Sequence, residues 1–227
     1  WALDDVGIDH VEIWRDLAPG EDASHAYTTD PSHPAYGKVF IANPLFVPGS
    51  RPDVEAAYST SPQSYRSGWG YLLLSWGLPD QGNGSYTLYA FAYDVEGHSA
   101  LLGTKTIAVD NAHATKPFGA LDTPGYGATV TGPFWNFGWA LTPNATPTCT
   151  IVNGSVTMHI DSGPGVAVNY GDLRTDIAGA FAGFSNGNNS GGASYLDTTT
   201  LTNGVHTIGW LVYDNCGRGD GIGSRFF

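Results

Sequence analysis

The sequence has 227 residues, room for two domains of ordinary size, and its 31 Gly, 14 Pro and single Met suit many turns and few long helices. A formal net charge of −12, with nine Lys and Arg in all, leaves no basic stripe; that excludes nucleic acid as a partner and disfavours an anionic membrane surface. No apolar run is long enough to span a bilayer and no signal-peptide pattern is present, while low charge with abundant Thr, Ser, Asn and Tyr fits an extracellular β protein.

Trp1–Asp5 (WALDD) reads as the end of a strand followed by a turn. Ile8–Asp16 (IDHVEIWRD) alternates and is predicted to be a strand with Val11 and Ile13 inward. Residues 17–36 lack periodicity and read as a long loop. Lys38–Ala42 (KVFIA) is a strand, and NPLFVPGSRP after it an irregular turn segment. Asp53–Tyr58 fits one helical turn, with Val54, Ala57 and Tyr58 on one side. Trp69–Trp76 is predicted to be a strand. Residues 83–97 (NGSYTLYAFAYDVEG) open on a turn dipeptide and then alternate at period two, which places Tyr86, Leu88, Ala90 and Ala92 on one face. A tight turn at Glu96–His98 leads to a last strand, Ala100–Val109. Asp110–Pro117 (DNAHATKP) reads as a short linker stiffened by Pro117, dividing the chain into domains 1–110 and 117–227 with 111–116 between them.

The second half repeats the first. Residues 203–217 (NGVHTIGWLVYDNCG) share the frame Asn-Gly, alternating run, Tyr-Asp, Gly, with His206, Ile208, Trp210 and Val212 on the common face. Asn136–Leu141 (NFGWAL) ends on the Trp-Ala-Leu of Trp1–Leu3. Ser155–Asp161 matches HVEIWRD, Gly165–Tyr170 stands where GKVFIA stands, Ser194–Leu201 pairs with GYLLLSWGL, and Arg174–Phe181 (RTDIAGAF) matches Arg51–Tyr58 (RPDVEAAY). Residues 118–132 are predicted to form a strand, a Pro-Gly turn and another short strand; GIGSRFF is the final strand. About twenty residues precede Trp139-Ala-Leu in the second repeat, and none precedes Trp1 in the first, which predicts an unpaired edge there. A start on Trp1 rather than Met is expected of a processed or excised piece. Either the polypeptide extends upstream or a neighbouring chain supplies the strand.

The frame W-A-L-D-D-x-G-I-x-x-V-E-I, followed by N-G-S-Y-T-L-x-A-x-A-x-D-x-E-G-H, resembles the bacterial Ig-like repeats of secreted and cell-surface proteins. The resemblance covers both repeats. It implies an all-β chain of two tandem Ig-like β-sandwiches, the first lacking its N-terminal strand(s), and it leaves inserts at about 17–68 and about 142–193 unexplained. It also implies that the Tyr of Gly-x-Tyr anchors a corner: Tyr86 fits, while His206 stands there in the second copy and leaves that bond open.

Candidate sites are few. Cys149 and Cys216, 67 apart and without CxxC spacing, are expected to form a disulfide worth roughly 3–4 kcal/mol, the alternative being two free thiols. Arg51/Asp53 and Arg174/Asp176 recur at matched positions; an Arg anchoring an insert onto the sandwich while Asp caps a helical turn is the structural reading, a binding site the other. Asp110 and Asn111 at the junction are candidate calcium ligands, with Asp4, Asp5, Asp94, Asp214 and Asp220 in turns that could form other sites. His25 and His33 flank Asp30, two histidines and a carboxylate where zinc asks for three or four ligands. Ser185 lies in a Gly-x-Ser-x-Gly run, though in a Gly/Asn-rich loop rather than between a strand and a helix. Arg218-Gly219-Asp220 is an RGD triplet in a turn. Trp69, Trp76, Trp135 and Trp139 could form a sugar-stacking platform or belong to the core. Asn83, Asn144, Asn153 and Asn188 open Asn-x-Ser/Thr triplets. Nothing in this set combines acid, base and nucleophile. The expected function is a non-catalytic extracellular or cell-surface module, structural or adhesive, either a subunit of a polymeric assembly or one link of a longer array. Its partners would be other protein chains, copies of itself or surface glycans, with no cofactor besides an open question over calcium. The alternative is a carbohydrate-binding accessory region of a secreted enzyme.

Overall fold

Short alternating runs broken by Gly, Pro and Asn favour antiparallel pairing. The computed structural model describes residues 1–143 and 148–227. The chain is all-β, and its described strands pair antiparallel throughout. It divides into two units, Trp1–Ala112 and His113–Phe227.

In the first unit β1 (Ile8–Arg15), β2 (Val39–Ala42), β5 (Asn83–Asp94) and β6 (Ser99–Asp110) form one sheet in the order β2-β1-β5-β6. A two-stranded ribbon, β3 (Leu45–Phe46) with β4 (Trp69–Gly70), is not hydrogen-bonded to it but packs on it through Phe46 and Trp69. In the second unit β9 (Ile151–Ile160), β10 (Val166–Ala167), β13 (Thr207–Asp214) and β14 (Gly219–Phe226) repeat that sheet as β10-β9-β13-β14. A second full sheet, β11-β12-β8-β7, faces it, made of β7 (Phe118–Leu121), β8 (Pro133–Leu141), β11 (Asn169–Asp172) and β12 (Gly191–Asp197). The repeated strands β5 and β13 are interior in both sheets. Their registers agree: Val11 pairs with Ala92 and Val156 with Val212, Ile13 with Ala90 and Met158 with Trp210.

The core of the second unit gathers Leu121, Ala140, Val156, Met158, Leu196, Ile208, Trp210 and Ile222 between its two sheets. Trp210 needs room, and glycine supplies it from the opposite sheet: a Cβ at Gly138 would sit 2.9 Å, and at Gly192 3.3 Å, from the tip of its ring. The first unit solves the same problem in mirror fashion. Ala90 holds the place of Trp210, and the large ring comes from the other side as Trp69, packed with Ala2, Val11 and Ala92. Matched backbone bonds fix this correspondence: Ala2 N–H donates to Ser67 O at 2.9 Å, as Ala140 N–H does to Ser190 O. Trp69 therefore stands where Gly192 stands.

Several expectations change. Trp69–Trp76 is not one strand; pairing stops at Gly70, and Ser75–Gly77 forms a 3-10 turn. Its Tyr-Leu-Leu-Leu run is apolar without alternation, so it offers no single face to bury, and Leu72 is exposed. Trp1–Asp5 is bonded through Ala2 but forms no strand. The stretches 17–68 and 142–193 are not inserts as wholes: the first contains β2, paired with β1, and the second contains β9 and the start of β12, which belong to the frame. The added material in the first unit is the loop before β2. It covers the second face of the sheet, so Trp14 and Phe91 are buried with Ala35 and half-buried Tyr27, Tyr89 and Tyr93, while Val11 and Ala92 are buried on the first. A strand covered on both faces loses the one-sided pattern expected for Tyr86–Ala92. Asn111, expected to start a linker, is buried in the first unit, within the 3-10 turn Asn111–His113.

Candidate functional site

Charged side chains that meet in this chain mostly close loops. Arg15 lies in β1 and meets Glu21 of the following loop through two bonds of 2.5 and 2.6 Å, both groups almost fully buried. The Arg15 bond holds the Glu21 carboxyl down at about 2, against burial, which pushes it up; the Ala18 N–H also favours the charged form. Arg51 grips Asp53 at 2.8 and 2.6 Å, and Arg174 grips Asp176 at 2.9 and 2.7 Å, each at the entrance of a six-residue helix, Pro52–Ala57 or Thr175–Ala180. These bonds lower both carboxyls to about 2. The pair recurs because the loop recurs: Gly68 and Gly191 pack on the two Arg Cγ atoms, an added Cβ landing 2.8 Å away in both. Arg174 also binds Asp122 at 2.6 Å.

Tyr86 makes the corner bond, its hydroxyl donating to Pro79 O at 2.6 Å. His206 replaces rather than loses it. Its Nε2 lies 2.8 Å from Thr202 O, and its Nδ1 2.8 Å from Asp161 Oδ2; Asp161, then the Thr202 carbonyl, raise its pKa above the ordinary imidazole value.

Cys149 and Cys216 are joined, their Cα atoms 5.6 Å apart, tying the turn after β13 to the segment before β9. Asn111 donates to Gln81 O at 2.8 Å and accepts from Ser75 Oγ at 3.3 Å, whereas Asp110 is exposed at the end of β6. Asp94 and Asp214 cap the turns that follow β5 and β13, each accepting two backbone N–H groups. Asp94, Glu96 and His98 cluster there. In the second unit Arg218 holds the place of His98, and a guanidinium cannot ligate a metal, so the shared role of this position is to brace the turn. Two of the other expected ligands have local partners: Asp4 accepts from Val6 N–H, and Asp220 from Gly221 N–H.

His25, Asp30 and His33 go separate ways. His25 reaches Glu21, Asp30 accepts from Ser32, and His33 accepts Ala35 N–H at Nδ1, which leaves its proton on Nε2, 3.1 Å from Tyr93 Oη. Ser185 donates to Cys149 O at 2.8 Å and is a loop tie. The arginine of the RGD triplet is spent on Asp214, Thr142 and Pro143 O, and Asp220 sits in β14 opposite Val212. Of the glycosylation triplets, Asn83 begins β5, Asn153 lies in β9, Asn188 in a 3-10 turn, and Asn144 outside the described residues.

The four-tryptophan platform does not form. Trp76 and Trp139 are buried, Trp139 under Phe118 and Phe181, and Trp69 faces the core of its own unit. Trp135 alone is exposed, and it has company the sequence reading missed. Tyr195 pairs with it directly across β8 and β12, and Phe137 follows two residues on, so all three share the outer face. They are 54, 52 and 45% exposed for Trp135, Tyr195 and Phe137. Trp135 meets Tyr195 edge-on at 5.6 Å between ring centroids and lies tilted to Phe137 at 6.5 Å. The alternation Trp135, Phe137, Trp139 was visible in the sequence; only the cover over Trp139 was not.

No family model matches the chain, and no curated protein matches it. Among solved structures it is similar to one titled for Clostridium thermocellum CbhA fibronectin(III)-like modules, at 12% identity and a TM-score of 0.29, covering 100% of this chain and 81% of that one. Among the described residues no helix is long and apolar enough to cross a membrane.

Proposed function

We propose that this chain is a non-catalytic extracellular or cell-surface module, structural or adhesive in role, that binds protein through the outer face of β8 and β12. The exposed row of Trp135, Phe137 and Tyr195 carries the reading. Contiguous aromatic surface on a folded domain marks a contact site, and rigid rings give contact area at low entropic cost. Three further observations support it. The buried or bridged ions Arg15–Glu21, Arg174–Asp122 and Arg218–Asp214 are all committed to loops and turns. The disulfide fits an oxidising compartment. A net charge of −12 favours a neutral or basic partner face, copies of the chain meeting through neutral aromatic patches included.

Sedimentation velocity across a concentration series tests this. The native chain should self-associate, and Trp135→Ala with Tyr195→Ala should abolish association while leaving the unfolding midpoint unchanged. A second reading, glycan binding, rests on the same row, since exposed rings also stack on sugar faces. Retention on cellulose, chitin or xylan, with quenching of tryptophan fluorescence lost in Trp135→Ala, would favour it. A monomer at every concentration, with no retention on any of these glycans, refutes both.

A further inference from the structure

The aromatic row of Trp135, Phe137 and Tyr195 is neutral, but its two ends are acidic. Successive residues of a strand face opposite ways, so Asp197 shares the outer face with Tyr195, two residues further along β12. It pairs with Pro133, one step of the sheet beyond the Trp135–Tyr195 pair. At the other end Gly191 pairs with both Trp139 and Asp172. A Cβ at Gly191 would sit 3.2 Å from Asp172 Cβ, which puts the Asp172 side chain on the same outer face. From Gly191 to Asp197 the strand runs about 20 Å, with Ala193 and the three rings between the two carboxylates.

Neither carboxylate is neutralised from within the chain. Asp172 is exposed, and its carboxylate has no hydrogen bond or ion pair among the described residues. Asp197 accepts the N–H and the hydroxyl of Thr199 on Oδ1, which leaves Oδ2 open among the described residues. The Lys and Arg side chains of this unit are spent elsewhere. Lys116 lies 3.7 Å from Asp220, Arg174 holds Asp176 and Asp122, Arg218 holds Asp214, and Arg225 donates to Pro124 O. A ring face attracts a cation, and a guanidinium adds the planar stacking that an ammonium lacks. Carboxylates at both ends of an aromatic row therefore select arginine, stacked on a ring and paired with the carboxylate beside it.

We propose that the partner of this face is a polypeptide segment carrying two arginines, one laid on Trp135 and Tyr195 with Asp197, the other reaching Asp172 at the Phe137 end. The proposal rests on the reading that this face binds protein. It also sets the source of the segment. Arg15, Arg51 and Arg66 of the first unit already hold Glu21, Asp53 and the Ile8 carbonyl, so a copy of this chain has no arginine to spare and the segment belongs to a different protein. Where copies meet through the same rings, the arginine segment displaces them.

The probe is a blocked peptide, Arg-Gly-Ser-Gly-Ser-Gly-Arg, whose arginines stand about 20 Å apart when extended. The same peptide with lysine in both places is its charge-matched control. Titrated in tagged form by fluorescence anisotropy, the arginine peptide should bind saturably. Trp135→Ala with Tyr195→Ala should abolish binding. Asp197→Asn and Asp172→Asn should each weaken it about tenfold, as should the lysine peptide. Asp172 makes no bond, so its variant keeps the test sound where Asp197→Asn loosens the turn that Asp197 caps. Excess peptide should suppress self-association in sedimentation velocity. Equal affinity for the lysine peptide, or binding that survives loss of both rings, overturns the proposal, since net charge alone then explains the attraction. Self-association through the row with no peptide binding overturns this inference and leaves the reading beneath it standing. Absence of both overturns the two together, and retention on a glycan without peptide binding also overturns the arginine partner.

Discussion

Trp210 offers the sharpest test of the second core, because its cost can be built from two contacts. The indole is 1% exposed, and its N–H is the donor to Asn136 Oδ1, also buried. Truncation of a buried tryptophan to alanine costs about 3–5 kcal/mol in lost transfer and cavity terms. Leaving the Asn136 oxygen without a donor adds about 1–3 kcal/mol. Trp210→Ala is thus expected to destabilise the second unit by about 4–8 kcal/mol, comparable with the whole stability of a domain. Trp210→Phe keeps most of the ring, loses the hydrogen bond and should cost about 2–3 kcal/mol. Urea unfolding followed by circular dichroism measures both, and the transition of the second unit is recognised by its response to reductant, since that unit alone carries the disulfide. The first unit suggests a compensation: Gly192→Trp in the Trp210→Ala background copies the Ala90/Trp69 arrangement and should recover part of the loss. In the native background the same substitution meets Trp210 and Val168 and should destabilise. A cost below about 1 kcal/mol for Trp210→Ala, the level of an ordinary surface site, would refute the two-sheet core.

Three other outcomes follow from the ion pairs and bridges. Glu21 titrates at about 2 when folded against 4.5 as its ordinary value, so its contribution of up to about 3 kcal/mol is present above pH 4.5 and is lost as pH falls toward 2; Glu21→Gln should flatten that acid limb of the first unit in pH-dependent urea midpoints. His206 has its pKa raised, so the sign reverses: its contribution is complete below its unfolded value near 6.5 and is lost as pH rises through the higher folded value. Thermal melts of His206→Gln between pH 5 and 9 should show that dependence removed. Reduction of Cys149–Cys216, or Cys149→Ser with Cys216→Ser, opens a 67-residue span and should cost the second unit about 4 kcal/mol while the first unit's transition stays in place.

Much of the frame was legible because its signals are local. Period-two alternation between turn dipeptides located β1, β5, β9 and β13, and two copies of one pattern announced two sheets of one order. The Arg-x-Asp pair was read as structural from its recurrence; Arg51 and Arg174 do grip Asp53 and Asp176, but those bonds span two residues and neither helix has a side-chain cap bond. Legibility failed where cover comes from a distance. Trp69–Trp76 had strand composition, but its run of consecutive apolar residues gave no face to bury. Trp76, Trp135 and Trp139 are alike as letters, and only Phe118 and Phe181 make Trp139 core while leaving Trp135 in solvent. Tyr195 joined the exposed row through a cross-strand partner sixty residues away in β8.

The sequence by itself determined the repeat, the all-β class and the central ribbons, since each depends on residues near in the chain; the bond between its two cysteines was one of two alternatives until the structure joined them. The tertiary structure decided which faces are wet. It placed a loop over Trp14 and moved the large core ring from Trp210 in one unit to Trp69 in the other. Such outcomes rest on contacts between sheets, like that of Trp210 with Asn136 across 74 residues, and alternation along one strand carries no record of what lies opposite it.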